Sequence, residues 1–91
     1  MDELKEKREI IDGIDKEMAA LFEKRFMAVR DIARYKAKNG MPILDSGRED
    51  VVIQKNSPYI SDPDIRAFYV NYMHSTMDIS RRFMSNITSG M

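Results

Sequence analysis

Residues 2–39, DELKEKREIIDGIDKEMAALFEKRFMAVRDIARYKAKN, contain no proline and a single glycine, Gly13. Leu4, Ile11, Met18, Arg25 and Ile32 recur every seven residues, and Ile14, Leu21, Ala28 and Tyr35 follow three places behind. That is helical periodicity sustained along the whole stretch. Asn39-Gly40 supplies a left-handed cap and Pro42 blocks continuation. The spacing predicts one helix of about 37 residues, roughly 55 Å long at 1.5 Å per residue. A compact globule of this size has a radius of gyration of about 13 Å. The helix therefore overshoots its own domain, and its apolar stripe calls for a second chain. An obligate dimer with the long helices packed together is expected.

Outward from this helix, residues 40–45 (GMPILD) read as a short connector. A second helix is expected from Asp45 or Ser46 to about Asn56, with Ser46 and Glu49 matching a capping box. Asp50-Val51-Val52-Ile53-Gln54 has the β-branched content of a strand, but no second strand exists to pair with it. Pro58 ends that element. Asp62-Pro63 then offers an N-cap followed by proline at the first helical position. Ile65, Phe68, Tyr72, Thr76, Ile79, Phe83 and Ile87 continue at three-to-four spacing, which places a third helix over roughly 63–87. The expected fold is all-α, with three helices in one domain covering residues 1–91.

Composition narrows the function classes. The 91 residues are 43% hydrophobic and 33% charged, too apolar and too balanced for a disordered tail. Fifteen Lys and Arg against fifteen Asp and Glu give no net field to attract nucleic acid or an acidic membrane. Zero Cys excludes a disulfide framework, a thiolate metal site and a cysteine nucleophile, and one histidine, His74, excludes a His-based metal cluster. No glycine-rich phosphate loop appears. No apolar run approaches the ~20 residues that cross a bilayer, and MDELKEKRE is no signal peptide, so a soluble cytoplasmic protein is expected. The closing residues, Asn86 to Met91, suit either a natural terminus or a domain cut from a larger enzyme.

The informative misfit is basic. Arg25 holds a seam position between Met18 and Ile32, where an apolar side chain belongs. Arg8 and Lys36 lie beside that seam. At 100° per residue, the 11 residues from Arg25 to Lys36 leave only about 20° of rotation, whereas the 17 from Arg8 to Arg25 leave about 100°. Arg25 and Lys36 share the face that must be buried and Arg8 lies at the flank of the stripe, whereas Lys5, Lys7, Lys16 and Lys24 fall toward solvent. Cations at the edge of a stripe commonly snorkel, and Arg8 or Lys36 alone would be read that way. Arg25 has no such short route, and a buried guanidinium needs a carboxylate from the protein or from a ligand. Asp15, Asp45 and Glu49 are candidate protein partners. Arg25 and Lys36 are about 16 Å apart along the axis, close enough for two long side chains to hold a small dianion. Arg8 is about 25 Å from Arg25, so it would reach that ligand only from the other chain of an antiparallel dimer. Asp45, Arg48 and Glu49 form one face of the second helix, which alone would read as a capped surface ion-pair cluster. Such a site is rich in fixed positive charge and poor in nucleophiles. It suits electrostatic and conformational catalysis, or plain anion binding.

The sequence resembles the all-helical chorismate mutase family. The resemblance covers almost the whole chain: Arg8 with Ile14-Asp15, Leu21-Phe22-Glu23-Lys24-Arg25, Tyr35-Lys36 ahead of Gly40-Met41-Pro42-Ile43, Asp45-Ser46-Gly47-Arg48-Glu49, and Met77-Asp78-Ile79-Ser80-Arg81-Arg82. It implies an intertwined homodimer that rearranges chorismate to prephenate without cofactor or covalent intermediate, in phenylalanine and tyrosine synthesis. It further implies that Arg25 and the other chain's Arg8 hold the two substrate carboxylates. Lys36 would donate to the ether oxygen as the C–O bond breaks. Glu49, with the backbone near Asp45, would bind the ring hydroxyl. Arg48 would support the carboxylate end and Ser80 would add a hydrogen bond.

One position departs from the family pattern. Four residues after its serine the family carries a Gln or Glu that also donates to the ether oxygen. With Ser80 as that serine the position is Met84, whose thioether has no proton to donate. A register shifted by one turn, pairing Thr76 with Ser80, still lacks Gln or Glu. Three other readings stand beside the mutase. They are isochorismate pyruvate lyase on the same fold, a weakly active or non-catalytic domain binding chorismate or prephenate, and a structural dimerisation module in which Arg25 is neutralised internally.

Overall fold

A computed structural model describes residues 2–90. The chain forms helix α1 (Glu3–Lys38), helix α2 (Ser46–Asn56), a single 3₁₀ turn (Ser57–Tyr59) and helix α3 (Pro63–Ser89). Among the described residues there is no strand.

The long helix runs 36 residues, as its period demands. Asp2 caps its start by accepting from the Leu4 N–H at 3.0 Å. Its end is a full Schellman closure: the Gly40 N–H reaches the Ala37 carbonyl and the Met41 N–H reaches the Lys36 carbonyl at 2.8 Å. Gly40 takes φ +64°, the left-handed region where a side chain would be strained.

The second helix is capped by Asp45, whose carboxylate accepts from the Arg48 N–H at 3.0 Å. The expected capping box between Ser46 and Glu49 does not form. With Asp45 at the cap, Glu49 falls one place too far along, and its carboxylate goes to Arg81 on α3 instead. Pro58 does not simply end the element; it sits in the 3₁₀ turn, which follows because Ser57 still has αR backbone angles. Asp62 caps α3 through the Asp64 and Ile65 N–H groups, with Pro63 at the first helical position. That helix runs two residues beyond the expected end.

The chain is elongated, 57 × 26 × 15 Å, with a radius of gyration of 16.5 Å against the ~13 Å of a compact chain this long. Two small apolar clusters hold it. Val29, Ala33 and Met84 join the C-terminal halves of α1 and α3, and Ile53, Met73 and Met77 join α2 to α3. Every residue from Asp2 to Lys24 is exposed in the single chain, including Leu4, Ile11, Ile14, Met18 and Leu21. The N-terminal half of α1 is an apolar arm that its own chain leaves exposed.

Candidate active site

A cavity of about 180 Å³ lies between the two apolar clusters. Arg25, Val29, Ile32 and Lys36 of α1 line it, at the i, i+4, i+7, i+11 spacing of one helix face. Ile43 and Asp45 enter from the connector, Arg48, Glu49 and Val52 from α2, and Met77, Ser80 and Met84 from α3. Of the eight expected site residues, seven therefore meet here: Arg25, Lys36, Asp45, Arg48, Glu49, Ser80 and Met84. Arg8 does not. It is exposed on the α1 arm, about 25 Å along the axis from Arg25.

Two more open recesses carry no comparable chemistry. One is walled by Phe22, Phe26 and Phe83 with Arg30 over the Phe83 ring, and the other by Met18, Ile60, Ile65, Phe68, Tyr69 and Tyr72. Of these three, the first alone gathers several cations among apolar walls.

Within that cavity the half-buried Arg25 guanidinium donates to the Ser80 hydroxyl at 2.6 Å and lies 3.7 Å from the Met77 sulfur. Ser80, nearly fully buried, donates its own hydroxyl hydrogen bond to the Thr76 carbonyl at 2.8 Å. These are neutral partners. None of the three carboxylates expected as candidates takes the Arg25 charge. Asp15 is exposed some 15 Å down the helix, Asp45 is committed to its cap, and Glu49 is committed to Arg81. Lys36 donates to the Ile43 carbonyl at 3.0 Å, which anchors the ammonium over the connector and leaves two N–H groups unused. Arg48 forms no salt bridge among the described residues.

Arg81 was not singled out as a site residue by the sequence. Its guanidinium lies 2.5 Å from Glu49 Oε1 and 3.6 Å from Asp78, which also holds Arg82 at 3.0 Å. The hydrogen bond to Glu49 pushes the Arg81 guanidinium still higher in its range, with the charges of Glu49 and Asp78 adding and burial opposing. The only local sign was a cation next to Ser80; its carboxylate partner is 32 positions away.

Met84 is 8% exposed and lines the cavity together with Val29. Ser80 and Met84 both line the cavity and Thr76 does not, its hydroxyl being turned to the Tyr72 carbonyl. His74 is exposed. Among the described residues no group of His, Asp or Glu side chains is arranged to hold a metal, and no helix is long and apolar enough to cross a membrane. The arrangement can bind a small polyanion and stabilise charge that develops on it.

Comparison with known proteins agrees in kind. The family model described as chorismate mutase type II matches residues 7–85. The T-protein of Haemophilus influenzae is 32% identical over 84 residues, which is 92% of this chain and 21% of that protein. The chain thus spans about a fifth of the length of this curated relative. No solved structure gives a significant match. The chain belongs to the chorismate mutase type II family.

Proposed function

We propose that this protein is a chorismate mutase, converting chorismate to prephenate in phenylalanine and tyrosine synthesis, and that it works as an intertwined homodimer. The observation that carries the reading is the convergence of the half-buried Arg25 and Lys36, together with the exposed Arg48, on one cavity in which none of them has a carboxylate partner. A half-buried cation left without a counter-charge calls for a ligand that brings one. Chorismate brings two carboxylates, and an ether oxygen that gains negative charge as its C–O bond breaks.

In this mechanism Arg25 takes one carboxylate, and Arg8 of the second chain takes the other. Lys36 points an unused N–H at the ether oxygen. Glu49 and the backbone near Asp45 receive the ring hydroxyl, while Arg48 supports the carboxylate end and Ser80 steadies Arg25. Holding the substrate in its folded, reactive conformer removes much of the entropic barrier, and preorganised donors at the breaking bond supply the rest. The residues need no cofactor for this.

Two features support the dimer. The exposed apolar arm from Leu4 to Leu21 would otherwise leave a continuous greasy stripe in water. The cavity, at about 180 Å³, is also smaller than the ~300–1,000 Å³ of small-molecule sites, which fits a site that a second chain completes. The whole construction forms one domain over residues 1–91.

Met84 favours a second reading. With a thioether where the family has a donor, the cavity would bind chorismate or prephenate and turn it over slowly or not at all. The test is the loss of chorismate absorbance with purified protein, beside Arg25→Ala. Prephenate formed by the wild type and abolished in the variant supports the mutase. Chorismate bound but not consumed overturns it in favour of the binding domain.

A further inference from the structure

We infer that Arg81 is a positioning residue for this site: it holds the Glu49 carboxylate from outside the cavity so that Arg25 and Arg48 stay available to the carboxylates of the ligand. The inference rests on the chorismate-site reading above and adds a residue to it.

The cavity wall carries three cations and, on the same wall, Glu49. An unrestrained carboxylate there has an obvious resting place, a guanidinium next to it, and such a pair would compete with any anionic ligand. The structure shows another arrangement. Glu49 Oε1 accepts from Arg81, which does not itself line the cavity, and Arg25 is left with the Ser80 hydroxyl and the Met77 sulfur. Arg81 is in turn steadied by Asp78 one turn before it, and Asp78 by Arg82. Glu49 thus keeps its carboxylate at the cavity, able to accept a hydroxyl proton through its other oxygen, without neutralising the cations that face it.

Removing Arg81 releases a negative charge into the anion site. In Arg81→Met the Kd and KM for chorismate are expected to rise about tenfold, equivalent to one charge-assisted contact, while kcat stays within about twofold. That split marks an interaction made equally with substrate and transition state. A mere tether between α2 and α3 would behave differently when Glu49 is also changed. Adding Glu49→Gln to Arg81→Met removes the intruding charge but keeps an acceptor for the ring hydroxyl. The affinity is expected to recover to within about threefold of the wild type, a reversal that no loosened tether gives.

The experiment measures chorismate Kd by calorimetry and turnover by absorbance for the wild type, Arg81→Met, Glu49→Gln and the double variant, with melting temperatures alongside. Chorismate affinity in Arg81→Met equal to the wild type overturns the inference. So does a double variant that stays as weak as Arg81→Met. Should Arg81→Met not fold, the double variant is compared with Glu49→Gln alone: equal affinity supports the inference and a tenfold gap overturns it. Binding without turnover by the wild type overturns the mutase reading, while the Kd comparison still judges Arg81. No binding at all overturns both.

Discussion

Replacing Met84 by glutamine restores a donor at the one position where the site departs from the family pattern. Met84 is 8% exposed, packed with Val29 and Ala33, and its side chain faces the cavity. Glutamine is close to methionine in length and volume, so the core need not expand. The cost is an amide at a site built for a thioether. Left unsatisfied it would destabilise by about 1–3 kcal/mol. For a domain of this size each kcal/mol lowers Tm by about 4–8 °C. The gain appears only when the ether oxygen becomes charged, where one donor in an oxyanion-type site is worth about 10²–10³ in kcat. The expected result is therefore a less stable protein with a higher kcat and a nearly unchanged KM. Met84→Leu is the control, keeping apolar bulk and offering no donor, and its kcat should match the wild type. Chorismate decay under saturating substrate, with thermal melts, measures both quantities. A folded Met84→Gln protein whose kcat does not rise would refute the reasoning that Met84 occupies the missing donor's place.

Other perturbations separate the parts of the account. Ile11 is 53% exposed in the single chain, so in a monomer Ile11→Glu would change stability by no more than about 0.5 kcal/mol. In a dimer sealed by this stripe it should dissociate or unfold the protein, as read by sedimentation. Arg25→Leu should keep the helical signal and abolish chorismate binding; a variant that is more stable and still binds would favour a purely structural role for Arg25. Asp62→Ala removes a cap that serves two N–H groups of α3. It should lower stability by about 0.5–2 kcal/mol without altering KM, because the cap lies far from the cavity in sequence and lines none of it.

The helices were legible because their causes are local. The seven-residue recurrence of Leu4, Ile11 and Met18 marks α1, Asn39-Gly40 ends it, and Asp62-Pro63 starts α3. The seven clustered site residues were legible for a mixed reason. Arg25 and Lys36 fall on one face by arithmetic, whereas Asp45, Arg48, Glu49, Ser80 and Met84 came from resemblance to a family whose elements cross in this way. What could not be read depends on how α2 and α3 cross. Glu49 reads in the sequence as one of three carboxylates that could neutralise Arg25, because a buried guanidinium needs a counter-charge. The competing cation, Arg81, reaches Glu49 only through tertiary packing. The capping box failed for a related reason: S-x-x-E occurs at Ser46, but the stronger cap one residue earlier, Asp45, shifted the frame.

The central claim is a site shared by two chains, and subunit complementation tests it most directly. Arg8→Ala and Arg25→Ala proteins, each inactive alone, are refolded together in equal amounts and assayed for prephenate formation. If Arg8 serves the partner's cavity, half of the dimers are mixed and each has one intact site, so the mixture should recover about a quarter of wild-type activity. A mixture no more active than its separate components would contradict the account.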